Sequence, residues 1–383
     1  MEAWSIQTLD TVADMATDKV SVASLTLDTY ISTENMLPDR GGIELAPKLP
    51  PSGSVNAFLP GDVLFSNIRT YFKKVWLAPW PGGSSADVIV FRPKNRKQTD
   101  SRFLYYVLSS DAFIQATVTA SKGTKMPRGD KEAMKRYEIP LPPLPIQHRI
   151  AGILSAYDEL IENSQRRIKI LEEMSRALYR EWFVHFRFPG HESIPLVPSA
   201  IGDIPQGWEV KNVKNILVRR AAGTVYREAD VKQEGAIPVL DQSTNELLGF
   251  HDNEADHSAS PESPLAMFGD HTCKMQLLIA PFSVGPNVVP FAAGAGLPTA
   301  YVFYAVNNLV QTQEYKRHWI PLNAKEVVVA DTLNAQRFAC VIQPMLVEQS
   351  TLRTVIRNLR RTRDLLLPRL LSGQIDVEAL NHV

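Results

Sequence analysis

The sequence predicts an α+β protein: two similar mixed α/β domains separated by two long antiparallel coiled-coil helices. Two observations indicate this class. The chain repeats short motifs in the same order about two hundred residues apart, and two stretches carry the heptad pattern of a coiled-coil seam. Elsewhere, short apolar and β-branched runs lie between Pro and Gly, as expected for the strands of mixed domains.

The repeat has two parts. WSIQTL at residues 4–9 matches WEVKNV at 208–213, and LPIQHRI at 144–150 matches LVEQSTL at 346–352. The offsets, 208 − 4 = 204 and 346 − 144 = 202, are nearly equal. Solenoid repeats are only roughly 20–50 residues long, so this period favours two duplicated domains.

These patterns divide the chain into a domain at residues 1–143, a spacer helix at 144–190, a second domain at 191–343, and a C-terminal helix and tail at 344–383. In the first domain, strands are expected at 55–58, 62–65, 75–77 and 88–91, and one helix at 101–117. Strand-like runs in the second domain lie at 264–268, 276–280, 287–291 and 301–306. Pro142, Pro143 and Pro145 stop regular structure ahead of the first spacer helix, because proline fixes φ and restricts the residue before it.

Each spacer helix has a predicted seam. The first helix is expected from residue 144 and the second from residue 344, with Gln147 and Gln349 near the respective starts. At ~1.5 Å per residue, about forty helical residues form a rod of ~60 Å. Neither helix buries its apolar stripe alone, so we expect the two to pair; simple core packing is the alternative. The seam positions are Ile150, Leu154, Tyr157, Ile161, Ile168, Leu171 and Leu178 in the first helix, and Leu352, Ile356, Leu359, Leu366 and Leu370 in the second. Arg363 occupies the seam position between Leu359 and Leu366.

Composition narrows the class of protein. The 41 basic and 41 acidic residues balance, but residues 62–136 contain 14 Lys or Arg against 6 Asp or Glu. A basic stretch favours phosphate backbones, although ordinary solvated faces reach the same charge. Two cysteines exclude a disulfide framework and fit a reducing compartment. With no secretory pattern at the start and no apolar run of 18 residues, we expect a cytoplasmic protein.

Catalytic motifs are missing from the sequence. It contains no GxxxxGK[ST], no GxGxxG after a strand, no HExxH helix and no Asn-Pro-Pro-Tyr or Asp-Pro-Pro-Tyr. His271 and Cys273 offer two metal ligands where a structural zinc site needs four. We therefore expect no bound metal, no cofactor on this chain and no enzyme activity.

Two polar segments of the first domain favour nucleic-acid binding. Arginine and asparagine bind base edges, while Lys and Tyr side chains commonly contact phosphate, and a glycine-containing loop lets its backbone approach a phosphodiester chain. The alternative for both segments is a solvated polar loop. The candidates are Ser66, Asn67, Arg69, Tyr71, Lys73 and Lys74 after a strand, and Lys122, Gly123, Thr124, Lys125 and Arg128 in a second loop.

The chain resembles the specificity subunit of a type I restriction-modification system over essentially its full length. The resemblance is carried by GDVLFSNIR at 61–69, GTKMPR at 123–128, IPLPPL at 139–144 before Gln147, DELIEN at 158–163, LYREWF at 178–183 and RDLLLPRLLSG at 363–373. IPQGW at 204–208 and FGDHT at 268–272 match in the second domain, so Asp270, His271 and Thr272 are its expected DNA contacts.

This resemblance implies two target recognition domains, each reading one half of a split double-stranded DNA site. The paired helices are implied to dock modification subunits, two being expected. By the same resemblance, adenine methylation with S-adenosylmethionine belongs to the modification subunits, and ATP- and Mg-dependent translocation and cleavage belong to a restriction subunit. A rigid helix then fixes the gap between half-sites, since equivalent groove faces recur every ~34 Å.

Two other classes of function remain open to test. A coiled-coil scaffold that joins proteins without touching DNA would use the same helices. A self-sufficient nuclease or methyltransferase is disfavoured by the missing motifs.

Overall fold

The computed structural model describes residues 4–243, 247–313 and 316–379. The chain folds into two compact units, one formed by Met1–Glu162 with Ile356–Val383 and the other by Asn163–Val355. Each unit contains one mixed domain and part of both long helices. The predicted class, α+β with two similar mixed domains and two long helices, is confirmed.

The first unit builds its domain from two antiparallel-rich sheets and a separate strand pair. The sheet orders are β2-β9-β6-β7 and β3-β5-β8-β4, and β1 pairs with β10. Val63, Phe65 and Phe91 lie in the core between the first sheet and its covering helices. The strands are β1 Ser5–Thr8, β2 Ala13–Met15, β3 Lys19–Ser21, β4 Tyr30–Ile31, β5 Ser54–Phe58, β6 Val63–Ser66, β7 Val75–Leu77, β8 Gly82–Ser84, β9 Val88–Pro93 and β10 Glu138–Leu141; the helices are α1 Leu9–Val12, α2 Ser101–Ser109, α3 Asp111–Thr119 and α4 Lys131–Lys135.

Two long helices follow the two domains. The first, α5, spans Leu144–Tyr179 and continues as a π-helical turn at Arg180–Val184, while the last, α8, spans Thr332–Leu371. In the second unit, Glu172 pairs with Arg353 at 2.9 Å and Ser175 donates to Met345 at 3.5 Å. The later residue of α5 meets the earlier residue of α8, so the helices run antiparallel there.

The second unit repeats the plan of the first. Its sheets are β14-β20-β17-β18 and β16-β15-β19, and β13 pairs with β21. The strands are β11 Leu196–Ser199, β12 Gly202–Pro205, β13 Glu209–Asn212, β14 Leu217–Arg219, β15 Ile237–Leu240, β16 Leu247–His251, β17 Leu265–Gly269, β18 Met275–Leu278, β19 Ser283–Val284, β20 Val288–Ala293 and β21 Glu326–Val329; the helices are α6 Thr299–Val306 and α7 Trp319–Asn323.

Strand register shows the duplication in detail. In the first domain Val63 lies opposite Phe91 and Ser66 opposite Val88. In the second domain the central pair has the same register, with Ala266 opposite Phe291 and Gly269 opposite Val288. The strand pairs β1·β10 and β13·β21 each lead directly into a long helix. The two domains therefore share one frame, on which their loops differ.

The predicted start of the last helix, at residue 344, is wrong, because α8 begins at Thr332. Asp331 caps this start by accepting the Asn334 N–H at 2.9 Å, and it also accepts the Trp208 indole N–H at 3.0 Å. The first turns of α8 bury Ala335, Phe338 and Ile342 in the domain core, where their helical spacing is mixed with other core residues. The sequence match of 346–352 to 144–150 therefore does not align structurally equivalent residues. The structural counterpart of Leu144 is Thr332, since each is the first residue of its long helix.

Two local predictions also differ from the structure. The expected helix at 101–117 is split at Ser110, whose backbone is extended. The Ser110 hydroxyl caps α3 by accepting the Phe113 N–H at 3.2 Å. The strand-like run at 301–306 is helical, within α6. Its residues are buried all round, and a short, wholly apolar run does not distinguish a core helix from a core strand.

Candidate nucleic-acid interface

The loop after β6 is a tight turn with an unusual backbone. Arg69 and Lys73 have φ of 49° and 52°, in the left-handed region, and a single 3₁₀ turn at Thr70–Phe72 lies between them. Non-glycine residues occupy this region only when surrounding contacts hold them there. The turn exposes Tyr71 and Phe72, whose ring centroids are 4.7 Å apart.

The loop at 121–128 folds as a small hairpin beside this turn. Lys122 and Arg128 exchange backbone hydrogen bonds of 2.9 and 3.0 Å, and Gly123 turns the chain with φ of 97°. The Arg69 N–H donates to the Pro127 carbonyl at 2.8 Å, and its guanidinium donates to the Lys125 carbonyl at 3.4 Å. The two predicted segments therefore meet, and the first loop surface consists of Arg69, Tyr71, Lys122, Lys125 and Arg128.

The cations of the first loop surface remain available to a polyanion. Lys122 pairs with Asp130 at 2.6 Å and Arg128 pairs with Asp87 at 2.9 Å, but the Lys122 and Arg128 side chains are 81% and 61% exposed. The hydrogen bond from Lys122 is the main reason that the pKa of Asp130 lies below its ordinary value. Exposed pairs contribute little net free energy, so a phosphate can take the place of either carboxylate.

Four predicted contact residues point inward instead. Ser66 and Asn67 are buried, and the Asn67 Oδ1 has no hydrogen-bond partner among the described residues. Lys73 donates its ammonium to Asp111 at 2.8 Å, and Lys74 donates to the Thr33 carbonyl at 2.7 Å. Burial also lowers the pKa of Lys74. These side chains hold the loop in place, whereas Gly123 and Thr124 lie exposed at the hairpin tip.

In the second domain, Asp270 has a structural position. Its carboxylate is buried and accepts the backbone N–H groups of His318 at 3.0 Å and Trp319 at 2.9 Å, at the start of α7. His271 is half-buried, with Nδ1 3.3 Å from the Lys316 carbonyl, and Thr272 is exposed. Asp270 therefore orders this loop, and Thr272 is the most accessible of the three predicted residues.

Two pairs of matching hydrogen bonds relate the loops of the two domains. The Asn67 N–H donates to Asp87 and the Asp270 N–H donates to Asn287, both at 2.8 Å. Lys74 donates to the Thr33 carbonyl and Lys274 to the Ser243 carbonyl, both at 2.7 Å. Residues 270–273 thus occupy the place of residues 67–73 in a loop that is three residues shorter.

Part of the second surface was not predicted from the sequence. The Thr312 hydroxyl donates to the Thr272 carbonyl at 2.7 Å, and Lys316 and Arg317 lie exposed just before α7, as Lys125 and Arg128 lie before α4. We define the second loop surface as His271, Thr272, Thr312, Lys316 and Arg317. Lys316 and Arg317 precede α7 and β21 in the chain as the first hairpin precedes α4 and β10, so this order along the chain is the signal that locates them.

The two glutamines predicted near the helix starts have different environments. Gln147 is fully buried at the start of α5; its amide donates to the carbonyls of Gln98 and Pro142, both at 2.8 Å, and its oxygen accepts the Asp100 N–H at 2.9 Å. Gln349 is buried in the middle of α8, and its Nε2 has no partner among the described residues. Only Gln147 ties a helix start to its domain.

The predicted seam residues face the interior of their own units. Ile150, Leu154, Ile161, Leu352, Ile356 and Leu370 are buried, and Tyr157, Ile168, Leu171, Leu178, Leu359 and Leu366 are half-buried. In the first unit, Ile150, Leu154 and Leu370 share one apolar cluster with Phe103 and Val107 of α2. Each helix stripe is therefore also part of a domain core.

The structure combines two similar α+β domains with two long antiparallel helices. Each domain has polar loops that converge at the end of a central strand, and this arrangement is typical of proteins with two recognition domains. Residues 59–173 match the family model of the type I restriction modification DNA specificity domain. The resemblance to specificity subunits of type I restriction-modification systems found in the sequence is confirmed.

Individual relatives match between about two fifths and three quarters of the chain, and a solved structure matches nearly all of it. The MjaIX specificity subunit of Methanocaldococcus jannaschii is 24% identical over 303 residues, which cover 73% of this chain and 70% of that protein. The MjaVIII specificity subunit of the same organism is 32% identical over 151 residues, covering 39% and 34%. The crystal structure of the type I S subunit from M. genitalium shares the fold, with a TM-score of 0.57, 17% identity and 96% of each chain covered.

The described residues contain neither a membrane-spanning helix nor a cluster of metal-ligating side chains. None of the helices combines the length and apolar character needed to cross a bilayer. Likewise, within residues 4–243, 247–313 and 316–379, no three His, Cys, Asp or Glu side chains lie together as metal ligands would.

Proposed function

We propose that this chain is the DNA-reading subunit of a type I restriction-modification complex, and that each domain reads one half of a bipartite target. The observation that carries the proposal is the loop equivalence. The same strand register and hydrogen bonds present residues 67–73 in one domain and 270–273 in the other, with different side chains. Two different surfaces on one frame suit the reading of two different half-sites.

The first loop surface is proposed to read the first half-site. Arg69 and Tyr71 project from the strained turn, and Lys122, Lys125 and Arg128 surround them. Lysine and arginine contacts to phosphate set register and affinity, while a guanidinium or amide at a base edge sets specificity. Gly123 and Thr124 allow the hairpin backbone to approach the DNA. Ser66, Asn67, Lys73 and Lys74 then act by shaping the turn from inside.

The second loop surface is proposed to read the second half-site. It presents the Thr272 and Thr312 hydroxyls and the His271 ring near the cations Lys316 and Arg317. Hydroxyl and imidazole groups hydrogen-bond to several base edges, so this surface differs in chemistry from the first. Asp270 contributes by ordering the start of α7.

The long helices are proposed to dock modification subunits, two per chain, and through them a restriction subunit. Exposed apolar side chains support this role: Leu160, Ile170 and Met174 on α5, and Val347, Val355 and Leu365 on α8, are each 39–57% exposed. We propose that this chain itself is not catalytic and acts in the cytoplasm. S-adenosylmethionine, ATP and Mg would bind the partner subunits, and base flipping would occur in the methylating partner.

Those exposed helix residues equally suit a scaffold that never touches DNA, and binding at varied salt separates the two functions. The full chain is titrated with duplex DNA from 50 to 200 mM salt, a range over which phosphate contacts give a log–log slope of about −0.9 each. A slope of several units supports DNA reading. Binding that is absent, or flat with salt, supports the scaffold.

A further inference from the structure

The turn at residues 67–73 is held from behind by Asp39 and Arg40. The Asp39 N–H donates to the Phe72 carbonyl at 2.9 Å, and the Arg40 N–H donates to the Lys73 carbonyl at 3.0 Å. Both residues have positive φ, 52° and 60°. Two consecutive non-glycine residues in the left-handed region persist only where other contacts fix them.

The Arg40 side chain supplies those contacts. Its Nε donates to the Ser109 carbonyl at 2.8 Å, its Nη2 to Asp111 at 2.8 Å, and its Nη1 lies 3.4 Å from Asp364 of α8. The side chain is only 6% exposed. Every nitrogen of the guanidinium is thus engaged, and the group is too enclosed to reach DNA itself.

Asp111 joins the turn directly to this anchor. Lys73, the last residue of the turn, places its ammonium 2.8 Å from the same Asp111 oxygen that accepts from Arg40. Burial opposes the charge on Asp111, but the hydrogen bond from Lys73 and the charge of Arg40 outweigh it and lower the pKa of Asp111. The backbone and the side chain at the end of the turn therefore lead to the same arginine.

Asp364 extends the anchor along the helices of this unit. It lies 3.0 Å from Arg363, whose guanidinium pairs with Asp158 of α5 at 2.5 Å. The Tyr106 hydroxyl of α2 donates to the same Asp158 at 2.6 Å. Charge-assisted bonds thus run without a break from the turn to both long helices.

We propose that Arg40 is a positioning residue for DNA reading: it fixes the turn that carries Arg69 and Tyr71 to the end of α8, and so sets discrimination at the first half-site. This inference rests on the proposed function. Base-edge contacts require the reading groups within about 0.5 Å of their ideal places, whereas phosphate contacts tolerate larger shifts. Loss of Arg40 is therefore expected to weaken sequence discrimination far more than general affinity.

The test measures binding of the full chain to four duplexes: the target found by methylation mapping, the target with either half-site scrambled, and one with both scrambled. Arg40→Ala is expected to lose about tenfold or more of its discrimination at the first half-site and to keep it at the second. Its salt slope on the doubly scrambled duplex should equal that of the wild type, because Arg40 neutralises no phosphate. Arg40→Lys should restore part of the discrimination.

Arg92→Ala is the matched control. Arg92 also forms ion pairs inside the domain, with Asp62 and Asp18, but at the opposite end of β6 from the turn. It should lower the melting temperature without changing discrimination. Should Arg40→Ala fail to fold, Asp111→Ala takes its place, because Asp111 is largely exposed and the substitution removes the oxygen that accepts from both Lys73 and Arg40.

The outcomes separate the two ideas. A folded Arg40→Ala, or Asp111→Ala in its place, that still discriminates at the first half-site would overturn the positioning role while the proposed function stands. Equal loss of discrimination in Arg92→Ala would also overturn it, by showing a general effect of domain stability. A wild-type chain that distinguishes none of the four duplexes would overturn the proposed function, and this inference with it.

Discussion

Asp158 of α5 and Arg363 of α8 form an ion pair of 2.5 Å in which the arginine side chain is 8% exposed. The charge of Asp158 is the main reason, against the cost of burial, that the pKa of Arg363 is raised. Tyr106 donates to the same carboxylate, and burial together with that charge raises the pKa of the phenol. This pair holds both long helices to the first domain. Arg363 lies at a position for which the heptad pattern alone predicts an apolar residue.

Removing Arg363 should destabilise the first unit. Arg363→Ala leaves Asp158 without its cation, which for a fully buried pair costs about 3–5 kcal/mol; since Asp158 is partly exposed, we expect on the order of 2–3 kcal/mol. Calorimetry of the full chain measures the loss as a lower melting temperature. The double variant Asp158→Leu with Arg363→Met should recover much of it, and a double variant that is worse than the single one would contradict the ion-pair account.

Lys125 should contribute a phosphate contact. Lys125→Gln is expected to weaken binding to all duplexes by a similar factor and to lower the magnitude of the salt slope by about 0.9. Lys97→Gln is the control, because Lys97 is equally exposed but lies in the loop after β9, at the far end of the sheet. Equal effects of the two substitutions would point to general charge and not to a contact.

Lys316 and Arg317 should act on the second half-site alone. In the four-duplex assay, Lys316→Gln with Arg317→Gln is expected to reduce affinity about tenfold or more for the target and to leave discrimination at the first half-site unchanged. Lys214→Gln, an exposed cation on the turn after β13, is the matched control. Loss at the first half-site would show that the domains do not read independently.

The cap of α8 should make stability depend on acid pH. Burial opposes the charge of Asp331, but hydrogen bonds from Asn334 and Trp208 favour it more, and the pKa of Asp331 is lowered. Because the folded pKa lies below the unfolded value of about 3.9, the carboxylate stabilises the fold above that pH, and its contribution is lost as the pH falls through the folded pKa.

Asp331→Ala should therefore cost about 0.5–2 kcal/mol at pH 7, the usual range for an N-cap, and progressively less as the pH falls below the unfolded value of about 3.9. Melting temperatures of the wild type and Asp331→Ala from pH 7 to pH 3 test this. Asp203→Asn, at an exposed position, is the control and should leave the melting temperature unchanged at both pH values. A penalty of the same size at both pH values would show that the lost contacts of Asp331 do not involve its charge.

Sequence patterns predicted the fold class because the repeated motifs and the heptad spacing are regular along the chain. They misplaced the start of α8 because Ala335, Phe338 and Ile342 are fully buried in a domain core, where helical spacing is mixed with other apolar residues. The split at Ser110 depends on one side chain capping one N–H, which a pattern over ten residues does not resolve.

The candidate site was predicted in outline only. Both segments of the first domain do come together, through Arg69 and Pro127. The sequence placed Lys73 and Lys74 on the surface as cations, yet each is drawn inward by a partner distant in the chain, Asp111 and Thr33. Lys316 and Arg317 were missed because the second domain matches the first in strand register and not in residue identity.

A map of methylated adenines in DNA tests the central claim most directly. Cells that express this chain with its modification partner are compared with cells that lack this chain. The proposed function predicts a split motif with a fixed unspecified gap, one half of which changes when Arg69 is replaced by Ala. No such motif from an assembled complex that binds its methyl donor would contradict DNA reading by this chain.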